Sequence, residues 1–131
     1  NNKNYYPEID FKVHHFNKIS DNKILKKLYN AGDVMVVPSK METFGQTALE
    51  SIACGTPVVA FKNTGLSDII DHKENGYLAE FLNVKDLAHG ITWILKNSHN
   101  NFLSINARKK AENFFSEKVI AHKYQEIYKN L

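Results

Sequence analysis

The chain has 131 residues, 43% hydrophobic and 24% charged, with 17 Lys and Arg against 14 Asp and Glu. That length is one domain's worth, and the composition excludes a disordered tail or a collagen-like repeat. The apolar run 52–61 is interrupted by Gly55, Thr56 and Pro57, far short of the ~20 apolar residues of a membrane span, and a net charge this small gives no reason to expect a nucleic-acid partner.

The N-terminus, Asn-Asn-Lys-Asn-Tyr-Tyr-Pro, lacks the apolar centre of a signal peptide. A single cysteine, Cys54, cannot close an internal disulfide, so a reducing, cytoplasmic setting is expected. The alternation in Phe11-Lys12-Val13-His14-His15-Phe16 predicts a short strand. Ser20 or Asp21 then caps a helix with Ile24, Leu25, Leu28 and Tyr29 at helical spacing. Val34-Met35-Val36-Val37-Pro38 is a continuous apolar run, the pattern of a strand buried on both faces of a parallel sheet. After the polar turn 39–45, the segment from Gln46 to Cys54 reads as a helix with Ala48, Leu49, Ile52 and Ala53 inward, stopped by Gly55. A buried strand follows from Pro57 to Phe61, then a turn at Thr64-Gly65-Leu66 and a short helix from Ser67 to Asp71. Asn75-Gly76 marks a turn before the small strand Tyr77-Leu78-Ala79. Leu87, Ile91, Ile94 and Leu95 define the inner face of a helix from Val84 to Lys96, and residues 102–131 are helical, broken near Ser116. Strands alternating with helices predict βα units and a mostly parallel sheet, whose ligands bind outside the carboxyl ends of the strands. That rule points to the loops after Phe16, Pro38 and Phe61.

The second of these loops carries the chemistry. Glu42 lies just before a helix and Glu50 about a turn and a half into it. Eight residues of helix rise about 12 Å, and part of this span is not helical, so the two acids sit somewhat closer than that. Between them the first amides of the helix have no intrahelical acceptor and, with the positive end of the dipole, form an anion site. Gly45 is expected to let a ligand approach the backbone without a Cβ in the way. The series is hydroxyl acceptor, phosphate cradle, hydroxyl acceptor, which matches a sugar, a pyrophosphate and a ribose. Two solvent-exposed glutamates at this spacing are also common by chance.

Taken together, Pro38-Ser39, Glu42 with Phe44-Gly45 behind it, Glu50, and Ala53-Cys54-Gly55-Thr56-Pro57-Val58-Val59 resemble the signature of the large Glu-x7-Glu group of retaining GT-B glycosyltransferases. The resemblance continues through Thr64-Gly65-Leu66-Ser67-Asp68 and Glu74-Asn75-Gly76-Tyr77-Leu78, and is to the C-terminal, donor-binding domain. It implies a Rossmann-like three-layer sandwich and transfer of a sugar from a nucleotide diphosphate donor, of UDP or GDP type, to a hydroxyl acceptor. By position, it places Glu42 on the hydroxyls of the transferred sugar and Glu50 on the ribose. It places the backbone of Phe44, Gly45, Gln46 and Thr47 on sugar and phosphate, and Asn17 and Lys18 near the nucleobase. No metal or other cofactor is implied; the Asp-x-Asp pair of metal-dependent transferases is absent from the sequence. Asp68 and Thr64 replace the family's usual Glu and first Gly.

The same resemblance implies an Arg and a Lys on an earlier strand–helix unit that neutralise the pyrophosphate, and no such segment precedes Phe11. The chain is therefore expected to be a single, N-terminally truncated donor-binding domain. The full enzyme would have roughly 350–400 residues, about two domains with linkers, and a separate N-terminal domain for a glycan or lipid-linked acceptor. With its neighbours missing, the strand at Phe11 is expected either to pair beside the Val34 strand or to be poorly held. A nucleotide-sugar epimerase or phosphorylase of the same fold, or a non-catalytic nucleotide-sugar-binding domain, remains an alternative. Cys54 reads as a small buried residue. The basic and aromatic C-terminal helices read as packed on the sheet with a solvated face; peripheral contact with the inner face of a membrane is the alternative.

Overall fold

The computed structural model describes residues 10–131; the leader-free reading of the first seven residues lies outside them. Asp21 turns its carboxylate onto the amides of Lys23 (2.7 Å) and Ile24 (3.4 Å) and opens helix α1, Asn22–Ala31. Strand β1, Met35–Val37, follows, then helix α2, Gln46–Ala53, and strand β2, Val58–Phe61. Strand β3 is Gly76–Ala79 and helix α3 Val84–Asn97; helices α4, Phe102–Phe115, and α5, Glu117–Lys129, end the chain.

The three strands are parallel in the order β1-β2-β3, with Val36 opposite Val59 and Val59 opposite Tyr77. All four residues of β2 are buried, which is why that strand is apolar without alternation. Its side chains still divide between two faces. Val58 and Ala60 join Ala48 and Ile52 of α2 and Ala107 and Ala111 of α4. Val59 and Phe61 join Tyr77, Leu87 and Ile94, under α3. The result is the three-layer α/β sandwich expected of the sequence.

Several local expectations are corrected. Residues 11–16 form no strand: they are exposed, Phe11 at 71% and Phe16 at 62%, and the three-stranded sheet of the described residues does not include them. Alternation is a local pattern, but a strand exists only where a neighbour supplies its hydrogen bonds. The helix expected at Ser67 to Asp71 is a 3-10 turn over Gly65–Asp68, started by the Thr64 side chain. Cys54 is half-buried at the end of α2 rather than enclosed. Leu95 is 44% exposed, and α5 buries no residue at all, so it does not pack on the sheet. Asn75 of the expected turn is itself buried; its side-chain Nδ2 donates to the Ile69 carbonyl (3.1 Å) and its Oδ1 accepts from the Asp71 backbone amide (2.9 Å). Among the described residues no helix is long and apolar enough to cross a membrane.

Candidate functional site

The loop after β1 and the turn after β2 meet at the carboxyl end of the sheet. The Gly65 amide donates to the Glu42 carbonyl at 2.7 Å. Glu42 is half-buried and lines a cleft of about 410 Å³ with Lys40, Thr43, Asn63, Thr64 and Gly65. Gly45 is buried with φ +90°, left-handed backbone that favours glycine, and a Cβ there would lie 2.2 Å from Leu66 Cδ2. This corrects the sequence expectation: the space a Gly45 side chain would need is filled by the protein's own Leu66, not left for a ligand.

Gly45 is also the N-cap of α2 and offers no capping side chain; its carbonyl accepts from the Leu49 amide at 3.0 Å. The amides of Gln46, Thr47 and Ala48 therefore open the helix without a side-chain acceptor, and no acidic residue occupies the first turn. Gln46 and Thr47 are exposed. The Phe44 ring packs edge-on against Phe115 of α4 with centroids 5.8 Å apart, so its side chain serves packing while its backbone stays in the loop. Asn17 and Lys18 are exposed on the irregular stretch before α1, and no hydrogen bond or ion pair ties them to Glu42 or Glu50.

Glu50, in the second turn of α2, is half-buried and held from two sides. The Tyr29 hydroxyl donates to Oε2 at 3.0 Å and the Gln46 side-chain Nε2 to Oε1 at 3.3 Å. Tyr29 is fixed in turn by the Thr56 hydroxyl, which donates to its carbonyl at 2.7 Å. Burial first, and then the Glu50 carboxylate, push the Tyr29 phenol up to about 12. Glu50 lines a groove of about 370 Å³ between α1 and α2, with Lys26, Tyr29 and Arg108 among its walls. Arg108 of α4 donates to the Ala53 carbonyl at the end of α2 and to Glu112. Glu42 and Glu50 thus line two separate depressions that share no wall residue, and the first turn of α2 lies between the two acids along the chain. Sequence reading found both acids but neither the partners of Glu50 nor the brace on Glu42. Tyr29 and Gly65 lie 21 and 23 positions from the acids they hold, and no spacing rule connects them.

The parallel α/β sandwich, with the segment from Glu42 to Glu50 after its first strand, has the GT-B fold of its structural neighbours. Residues 8–113 match the family of glycosyl transferases group 1, and the chain belongs to it. It is 39% identical over 106 residues to an uncharacterized glycosyltransferase of Methanocaldococcus jannaschii, covering 80% of this chain and 27% of the relative. Its fold is similar to sucrose-phosphate synthase of Thermosynechococcus elongatus, with a TM-score of 0.75 and 34% identity over 84% of this chain and 28% of that one. It is similar also to Anabaena HepE, solved in complex with UDP-glucose, with a TM-score of 0.72 and 28% identity over 82% of this chain and 30% of that one. The chain spans about a quarter of the length of the curated relative it matches.

Proposed function

We propose that this chain is the donor-binding part of a retaining glycosyltransferase that moves a hexosyl-type sugar from a nucleotide diphosphate to a hydroxyl acceptor bound elsewhere in the full protein. The observation that carries the reading is the uncapped N-terminus of α2 between the Glu42 cleft and the Glu50 groove. A diphosphate seated on the free amides of Gln46 and Thr47 meets the positive end of the helix dipole, and charge developing on the leaving nucleotide is stabilised there without reorganisation. In this arrangement the sugar hydroxyls reach the Glu42 carboxylate. The ribose reaches Glu50, whose oxygens keep lone pairs beyond those used by Tyr29 and Gln46. Asn17 and Lys18 are assigned to the nucleobase side, and the diphosphate charge is met by the helix and basic side chains without a metal. Likeness to HepE, which was solved with UDP-glucose, supports a nucleotide-sugar donor.

The test is calorimetric titration of the full-length protein with UDP-glucose and GDP-mannose. Hydrogen bonds to a carboxylate contribute about 1.5–3 kcal/mol, so Glu50→Ala is expected to weaken the better donor by about tenfold or more. Unchanged affinity in that variant overturns the reading.

A further inference from the structure

The two acids of the site are held in different ways. Glu50 has two side-chain donors on its carboxylate. The Glu42 carboxylate has no hydrogen-bond or ion-pair partner among the described residues, so its position is inherited from its backbone, and that backbone is gripped by the turn after β2. We propose that this turn is the device that aims Glu42 at the sugar and that Gly65 is its positioning residue; the role given to Glu42 rests on the function proposed above.

The argument starts from why residue 65 is glycine. Gly45 needs its left-handed φ, but Gly65 has a backbone that any L-residue adopts. Its demand is purely for room. A Cβ at Gly65 would stand 2.1 Å from the Thr43 carbonyl oxygen, 2.4 Å from the Thr43 carbonyl carbon and 2.8 Å from the Glu42 carbonyl oxygen. All three atoms are backbone, so no flexible side chain can swing away. The missing side chain brings two segments of the backbone close enough for the Gly65 amide to bond the Glu42 carbonyl at 2.7 Å. The turn itself is anchored twice. The Thr64 hydroxyl donates to the Phe61 carbonyl at the end of β2 (3.2 Å) and accepts from the Leu66 amide (3.3 Å). Leu66, fully buried, fills the space against Gly45. The loop between Glu42 and Gly45 is thereby clamped at both ends by three consecutive residues rooted in the sheet. Misplacing a reacting or orienting group by about 1 Å can cost a hundredfold in rate, and a Cβ at residue 65 forces a shift of that order.

The brace touches the sugar side and not the Glu50 groove, which gives a readout that general damage would not produce. The full-length protein is titrated with UDP and UDP-glucose, and with GDP and GDP-mannose. The nucleotide pair bound more tightly is then used to measure hydrolysis of the donor to free nucleotide. In Gly65→Ala the affinity for the free nucleoside diphosphate stays within about twofold, while donor hydrolysis falls by about tenfold or more. Where Gly65→Ala does not fold, Thr64→Val decides: it keeps the side-chain shape, removes both bonds of the hydroxyl and lowers donor hydrolysis by about threefold at unchanged nucleotide affinity, with Thr64→Ser restoring the rate. Undiminished hydrolysis in the folded variant, or an equal loss of nucleotide affinity and rate, overturns the proposal while leaving the binding of nucleotide by the wild type intact. Failure of the wild type to bind either nucleotide overturns the functional reading itself, and this inference with it.

Discussion

Tyr29 shows how much one side chain can report about the site. In the unfolded chain its phenol releases a proton near its ordinary value of 10; in the folded protein burial and the neighbouring Glu50 carboxylate hold the proton to about 12. Between those values the unfolded state has lost a proton that the folded state keeps, so rising pH favours unfolding. The contribution is intact below about pH 10 and gone once the pH has passed about 12. Urea unfolding of wild type and Tyr29→Phe across this range is expected to show a steeper loss of stability in the wild type. Phenolate absorbance is expected to lose its highest-pH component in the variant. Burial also raises the Tyr77 phenol, so the difference between the two proteins, and not the wild-type curve alone, is the measure. At this scale the sequence singles out Glu42, Gly45 and Glu50 as candidates, but not what holds them. The partners come from α1 and from the turn after β2, brought in by tertiary packing.

Among the elements, α3 meets β3 at a contact where shape decides. Gly90 faces the sheet, and a Cβ there would lie 2.5 Å from Tyr77 Cδ1 and 2.8 Å from Cγ. The ring cannot retreat. Its hydroxyl is tied to Asp86 at 2.8 Å, and His72 packs on it with centroids 4.5 Å apart. On helix propensity alone Gly90→Ala would gain about 1 kcal/mol; overpacking reverses the sign, and a net loss of about 1–2 kcal/mol is expected in chemical unfolding. Of the inner face that periodicity predicts for α3, Leu87 and Ile94 are buried and Ile91 packs beside them, and only Leu95 is outside. Periodicity put Leu95 inside, yet the large Tyr77 ring takes the volume opposite Gly90, and the helix settles on Leu87, Gly90 and Ile94. Apolar runs proved the more dependable signal. Val34 to Pro38 and Pro57 to Phe61 became β1 and β2 within a residue or so, because a strand covered on both faces must be apolar throughout. The alternating segment 11–16 carried no such constraint and remained irregular.

Across the whole molecule, burial is concentrated around β2 and thins toward the C-terminus. β2 lies between two strands and two helical layers. Opening its amides requires undoing nearly everything else. The chain beyond Ser116 is in the opposite condition. Residues 121–131 are exposed, with Tyr124 at 58%, Ile127 at 58% and Tyr128 at 71%. The side-chain ion pair within that stretch, Lys129 with Glu126, is on the surface, and such i,i+3 pairs contribute only about 0.2–0.5 kcal/mol. Of the thirteen residues of α5 only Val119 and Ile120 are even half-buried, so the helix beyond its first turn is nearly as marginal as a free peptide. Deuterium from solvent is therefore expected to enter the α5 amides within the dead time of a manual exchange experiment, while β2 retains its protons until the domain unfolds globally. Slow uptake along α5 in this chain would mean that the helix has found a surface to lie on.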